Sequence, residues 1–182
     1  VPKGVPADWQ VGHKNGFFNS TCCGWRVNSV GYVADPDGGG YSIAILSDND
    51  LEHYTLALAA QWVGVPYTPV SVAYSTVSQD FAKLKQILGT LTPGLVFAAD
   101  GHAFRNAIAT VVPADVEIVV TTGEDTPALQ GRKLTRFDAL LATEPGPEEM
   151  QAHGHAGPDT IAKFLFTSGS TKQPKGVINT PR

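Results

Sequence analysis

Residues 164–182 read FLFTSGSTKQPKGVINTPR, and the middle of this tract holds the residue types that grip oxyanions. Thr167, Ser168, Ser170 and Thr171 supply hydroxyl donors. Gly169 removes a side chain where a backbone amide can approach an anion. Lys175 adds a mobile ammonium with three donors, and Lys172 offers a second charge. Pro174 fixes one dihedral beside Lys175, and Gly176 lets the backbone leave in an extended run. Phosphate oxygens are held by this mixture of amides, hydroxyls and cations. A solvated Ser/Thr/Gly turn with an ordinary surface lysine is the competing reading of the same residues. Ser168 and Ser170 lack the context of a nucleophile elbow, so they are expected to bind oxygens, not to attack carbon.

The tract must be delivered by its flanks. Residues 163–166 read as a strand, and Val177, Ile178 and Asn179 as a second one, giving strand, loop, strand. A nucleotide loop that ends in Gly-Lys-Ser/Thr and opens a helix has a different layout. Upstream, residues 42–46 form an apolar strand, and Ser47 is expected to cap a helix with Asp48 and Asp50 near its positive end. Leu51, Tyr54, Leu58 and Trp62 recur at helical spacing and predict that helix's buried stripe, with Trp62 in the core and Gly64 as the stop. Residues 65–70 predict a short strand that its prolines confine to an edge. Ser78 opens a second helix whose stripe is Phe81, Leu84, Ile87, Leu88 and Leu91. A strand at 95–98, a helix at 103–111 and a strand at 116–120 follow. Residues 121–135 read as loop, Thr135 as the cap of a short helix with Phe137, Leu140 and Leu141, and 143–158 as surface linker. Residues 1–40 read as an irregular N-terminal segment with one short strand near 25–33. The alternation predicts the α/β class, with a partial, mostly parallel sheet and flanking helices.

Composition narrows the function. The 182 residues carry a net charge of −4 without a basic block, which argues against nucleic acid. No run of 18 apolar residues and no leader pattern occurs, which argues for no membrane segment and a cytoplasmic location. Cys22 and Cys23 are adjacent and give no disulfide framework. His153 and His155, near Glu148 and Glu149, have too undefined a ligand set for a specific metal site. His102 and Arg105 follow a strand end, where α/β proteins collect sites, and His53 sits beside Tyr54; neither place suits the chemistry of the tract.

The tract resembles the phosphate-binding signature of the AMP-forming adenylate-forming superfamily, Thr-Ser-Gly-Ser/Thr-Thr-Gly-x-Pro-Lys-Gly. Thr167 through Thr171, Pro174, Lys175 and Gly176 match it. Lys172 stands where most members have glycine, and Pro181 where many place a histidine near the acyl substrate. The likeness continues through AILSDNDLEHYTLALAAQWVGVPYTPVSVAYS at 44–75 and DFAKLKQILGTLTPGLVFAADG at 80–101, and within the superfamily it is nearest to the feruloyl-CoA synthetases.

The resemblance implies two steps. A carboxylate oxygen attacks the α-phosphorus of ATP and pyrophosphate leaves; the thiol of coenzyme A then displaces AMP from the acyl-adenylate. Thr167, Ser168, Gly169, Ser170, Thr171 and Lys175 would hold the β- and γ-phosphates, with Lys172 assisting and Gly176 completing the loop. Mg2+ would neutralise the triphosphate. Residues 41–182 would be an incomplete N-terminal lobe of the acyl-CoA synthetase (ANL) fold, ending just past the loop. The adenine pocket, the ribose and Mg2+ carboxylates, the mobile lid and most of the acyl pocket would lie beyond Arg182. This chain alone is therefore expected to be inactive, to hold no catalytic residue beyond phosphate binding and no metal ligand, and to have exposed faces suited to a homo-oligomer. The parent would be an ATP-dependent acid–CoA ligase acting on ferulate or a related hydroxycinnamate. The alternatives are a ligase for another fatty or aromatic acid, or a non-catalytic truncated homologue.

Overall fold

The computed structural model describes residues 10–20, 24–34, 42–144, 146–167 and 174–182. Two strands, β1 (Gln10–Ser20) and β2 (Gly24–Ala34), pair antiparallel in full register from Gln10↔Ala34 to Ser20↔Gly24. The short strand expected near residues 25–33 is present within β2, whereas β1 is not expected from the sequence. Neither strand carries a sustained period-2 alternation, which is why residue pattern alone does not reveal the hairpin.

The other strands form one sheet. They are β3 (Ile43–Ile45), β4 (Tyr67–Pro69), β5 (Leu95–Asp100), β6 (Glu117–Thr122), β7 (Leu134–Arg136), β8 (Lys163–Thr167) and β9 (Lys175–Asn179), in the order β7-β6-β5-β3-β4-β8-β9. Every pairing is parallel except β8 with β9, so the expected mostly parallel sheet with flanking helices is present. The helices are α1 (Leu51–Val63), α2 (Ala73–Thr76), α3 (Ala82–Leu91), α4 (Gly101–Val111), α5 (Phe137–Leu141) and α6 (Pro147–His155).

Alternate residues of the central strands feed opposite faces. Ala44, Leu46, Val96, Ala98, Ile118 and Val120 join one core with Leu84, Ile87, Leu88 and Leu91 of α3 and Phe104, Ala107 and Ile108 of α4. Ile43, Ile45, Phe97 and Val119 join the other with Leu56, Ala57 and Ala60 of α1 and Phe137 of α5. A sheet covered on both faces has near-continuous apolar strands, which is how IAI, LVFAAD and EIVVTT read.

The stripe expected to bury α1 faces the other way. Leu51, Tyr54, Leu58 and Trp62 are 74%, 62%, 47% and 54% exposed, while Leu56, Ala57 and Ala60 face the sheet. Small residues let the helix lie close to the strands, and α1 is apolar on both faces, so periodicity alone pointed to the larger side chains. Trp62 packs instead on α6: its ring stacks on His153 at 3.6 Å with planes 1° apart, and the His153 Nδ1–H donates to the Trp62 carbonyl at 2.9 Å. Residues 143–158 are thus not all linker. Pro147 begins α6, and the Glu149 carboxylate accepts the Gly146 N–H at 2.7 Å.

The caps also differ in detail. Asp50, not Ser47, caps α1, accepting the His53 N–H at 2.6 Å. Gly64 ends that helix in the left-handed region at φ 77°, as expected. At α3, the Ser78 hydroxyl accepts the Phe81 N–H, and Asp80 accepts that of Ala82. No side chain caps α5; the Thr135 hydroxyl donates to Glu117 instead.

Two strand assignments change. β4 lies inside the sheet between β3 and β8. Its prolines are tolerated because the Pro66 carbonyl accepts the Ile43 N–H while Pro69 ends the strand. The Tyr67 N–H reaches Ala162 on the β8 side. Pro69, two residues on, has no N–H to offer in that direction, and β4 meets β8 at one registered pair, Tyr67↔Lys163. Residues 121–135 contain a short 3-10 turn, Pro127–Leu129, and β7, the edge strand paired to β6.

β7 is tied to β6 by charge. Burial raises the Glu117 carboxyl, but the Lys133 ammonium at 2.6 Å and the Thr135 hydroxyl at 2.7 Å outweigh it and hold the group below the ordinary carboxylate range. A depressed native value contributes stability above the unfolded carboxylate's range and loses it as pH falls through the native one. Glu117→Gln should lower Tm at neutral pH by about 2–4 °C. The gap to wild type should be smaller at acidic pH, once the wild-type Glu117 carboxyl takes up its proton, than at neutral pH. An equal gap at both pH values would refute the linkage.

Candidate functional site

The hairpin β8–β9 brings the two ends of the hydroxyl-rich tract together. Its register runs from Lys163↔Asn179 through Phe166↔Gly176 to Thr167↔Lys175, so the first and last anion-gripping residues named from sequence are direct partners across the ladder. At the far end the Ala162 N–H donates to the Asn179 carbonyl at 2.9 Å. Phe164, 1% exposed, inserts into the α3–α4 core, and Phe166 and Ile178 pack against it. The apolar alternation thus fixes the hairpin to the body of the protein. Thr167 and Lys175 remain exposed at its tip, and Gly176 is half-buried. Ser168, Gly169, Ser170, Thr171 and Lys172 lie outside the described residues.

Pro174 is buried just before the exposed Lys175. Its carbonyl faces α3, where the half-buried Gln86 amide donates to it at 3.5 Å, a long bond. Sequence reading missed Gln86. It stands 88 residues from Pro174, and no local pattern signals so distant a contact.

The other tempting residues serve the scaffold. His102 pairs with Asp125 at 2.9 Å, its N–H is held by Asp100, and Arg105 donates to its carbonyl at 2.6 Å. His53 donates from Nδ1 to the Asp48 carbonyl at 3.0 Å, and His155 to that of Gln151 at 2.8 Å. Among the described residues no group of three or more His, Cys, Asp or Glu side chains gathers as a metal site would require. Cys22 and Cys23 lie outside the described residues. No helix of the described residues is long and apolar enough to cross a membrane.

A strand–loop–strand with paired ends, set beside the parallel sheet and carrying a cation at its exit, has a family counterpart. The AMP-binding enzyme profile matches residues 38–182. The chain belongs to the AMP-binding enzyme family. Curated relatives include a "3-[(3aS,4S,7aS)-7a-methyl-1,5-dioxo-octahydro-1H-inden-4-yl]propanoyl:CoA ligase" of Rhodococcus jostii, 26% identical over 79% of this chain and 28% of that protein. Another is an L-proline--[L-prolyl-carrier protein] ligase of Streptomyces coelicolor, 28% identical over 76% of this chain and 25% of that protein. The chain thus spans about a quarter of the length of these AMP-binding relatives. Among solved structures, ATP-bound MatB of Rhodopseudomonas palustris matches with a TM-score of 0.54 at 23% identity, over 77% of this chain and 24% of that one. A red-emitting luciferase of Phrixothrix hirtus gives 0.54 at 18% identity, over 77% of this chain and 33% of that one. At such identities the likeness is one of fold, and it agrees with the adenylate-forming architecture of the sheet and helices.

Proposed function

We propose that this chain supplies the polyphosphate-gripping part of an ATP-dependent ligase that activates a carboxylic acid as its acyl-adenylate and passes the acyl group to coenzyme A. Residues 41–182 are read as the incomplete N-terminal lobe of that enzyme. The observation that carries the proposal is the Thr167↔Lys175 register pair, two exposed residues facing each other across the end of a hairpin anchored by Phe164. These two groups fit a polyphosphate: the hydroxyl donates to one oxygen and the ammonium neutralises developing charge. Ser168, Gly169, Ser170, Thr171 and Lys172 complete the proposed cradle by sequence, with Gly176 at its exit. Coenzyme A and Mg2+ belong to the parent reaction and are assigned no described side chain.

The acid is proposed only by class. The phrasing of residues 44–101 makes ferulate one candidate to assay. The matched relatives are named for a bicyclic propanoate and for proline, which supports the broader reading of an acid other than a hydroxycinnamate.

Calorimetric titration of the 182-residue chain with pyrophosphate tests the core of the reading. Wild type should bind, and Lys175→Ala should weaken binding about 10- to 100-fold, the range for losing a charge-assisted bond. Failure of wild type to bind, or equal affinity of the two proteins, would overturn the proposal.

A further inference from the structure

We infer that Gln86 is a positioning residue for Lys175, an inference that rests on the polyphosphate reading of the hairpin tip. The Pro174 carbonyl and the Lys175 N–H belong to one planar peptide unit. A donor that holds the carbonyl therefore fixes the plane from which the Lys175 side chain departs. Gln86 Nε2 is such a donor at 3.5 Å, reaching across from α3 to a strand 88 residues later.

The surroundings make this contact consequential. Pro174 is buried while Lys175, its neighbour, is exposed, so the chain crosses from interior to surface at the peptide that Gln86 touches. Proline has no N–H, so nothing on the backbone nitrogen of residue 174 can hold the chain at that point. On the other side, Lys175 is registered to Thr167. The Lys175 backbone is thus set by two restraints, the β8 ladder and the α3 amide. Gln86 itself sits on a rigid platform, since its helix neighbours Leu84, Ile87, Leu88 and Leu91 are almost fully buried. A long bond to a well-anchored donor adds direction more than strength.

Gln86→Met keeps the length of the side chain and removes the donor. Pyrophosphate affinity should fall about three- to tenfold, the range for one neutral hydrogen bond. Hydrogen exchange of the Lys175 amide should quicken by a similar factor, while that of Leu88 on α3 should not change. The melting temperature should stay within about 2 °C, as befits a half-buried polar side chain. Unchanged affinity with a normal melting temperature would overturn the inference. So would faster exchange spread evenly over α3 and the hairpin, which would mark general loosening. If wild type binds no pyrophosphate, the polyphosphate reading falls, and the Lys175 exchange rate alone decides whether Gln86 fixes that peptide.

Discussion

Phe97→Ala should lower the unfolding free energy by about 3–5 kcal/mol, with a fall in denaturant midpoint and little change in slope. Phe97 is fully buried in β5, at the register position between Ile45 of β3 and Val119 of β6. Its ring meets that of Phe137 at 5.4 Å and 49°, a tilted aromatic contact that adds to the area it buries. The face it belongs to is thin, because α1 contributes only Leu56, Ala57 and Ala60. Alanines cannot swing in to fill the space, so the cavity term is retained in full. Single domains have total stabilities of about 5–15 kcal/mol, so the variant should be partly unfolded at physiological temperature. A loss under about 1 kcal/mol, the size of a single methylene, would show that α1 and α5 do not form the closed face described.

A pair of glycine substitutions should move stability in opposite directions. A Cβ at Gly101 would lie 2.4 Å from the Gly123 carbonyl oxygen and 3.0 Å from Leu129 Cδ1. The obstacle is backbone, and Gly123 is itself held in the left-handed region at φ 76°, where it accepts the Thr126 N–H. Neither side can give way cheaply. Gly101→Ala should cost about 3 kcal/mol or more, at the upper end of overpacking. At Gly89, in the last turn of α3, an added Cβ meets nothing within 4 Å. Gly89→Ala should therefore raise stability by about 0.5–1 kcal/mol through the unfolded chain's entropy. Chemical denaturation of both variants checks the contrast. A mild loss at Gly101 would mean that the β5–α4 junction can open away from the β6 turn.

Several of these features were legible in the sequence. The α3 stripe was, because Leu84, Ile87, Leu88 and Leu91 have polar neighbours on every other side. The hairpin was also legible, since Phe164 and Phe166 before the tract, and Val177 and Ile178 after it, frame a loop too polar to be anything else. The facing of α1 was not legible. Two apolar stripes compete there, and the sheet selected the one made of alanines because closeness, not side-chain size, decides how a helix lies on strands. The interior place of β4 was hidden as well, since prolines forbid a ladder bond only on the side their nitrogen faces. At the candidate site, Thr167 and Lys175 could be named from sequence, but their being ladder partners, and the reach of Gln86, follow only from tertiary register.

The junction between β4 and β8 divides the seven strands into two mechanical parts. β7 through β4 form a parallel slab, while β8 and β9 form an antiparallel leaf stitched to it at Tyr67↔Lys163 and pinned by the ring of Phe164. A rotation of the leaf about that stitch breaks no rung among the slab's other strands. Thr167 and Lys175 share the leaf, so a displacement of it would carry both together and keep their register, and the buried Phe164 ring and the Gln86 amide oppose such a displacement.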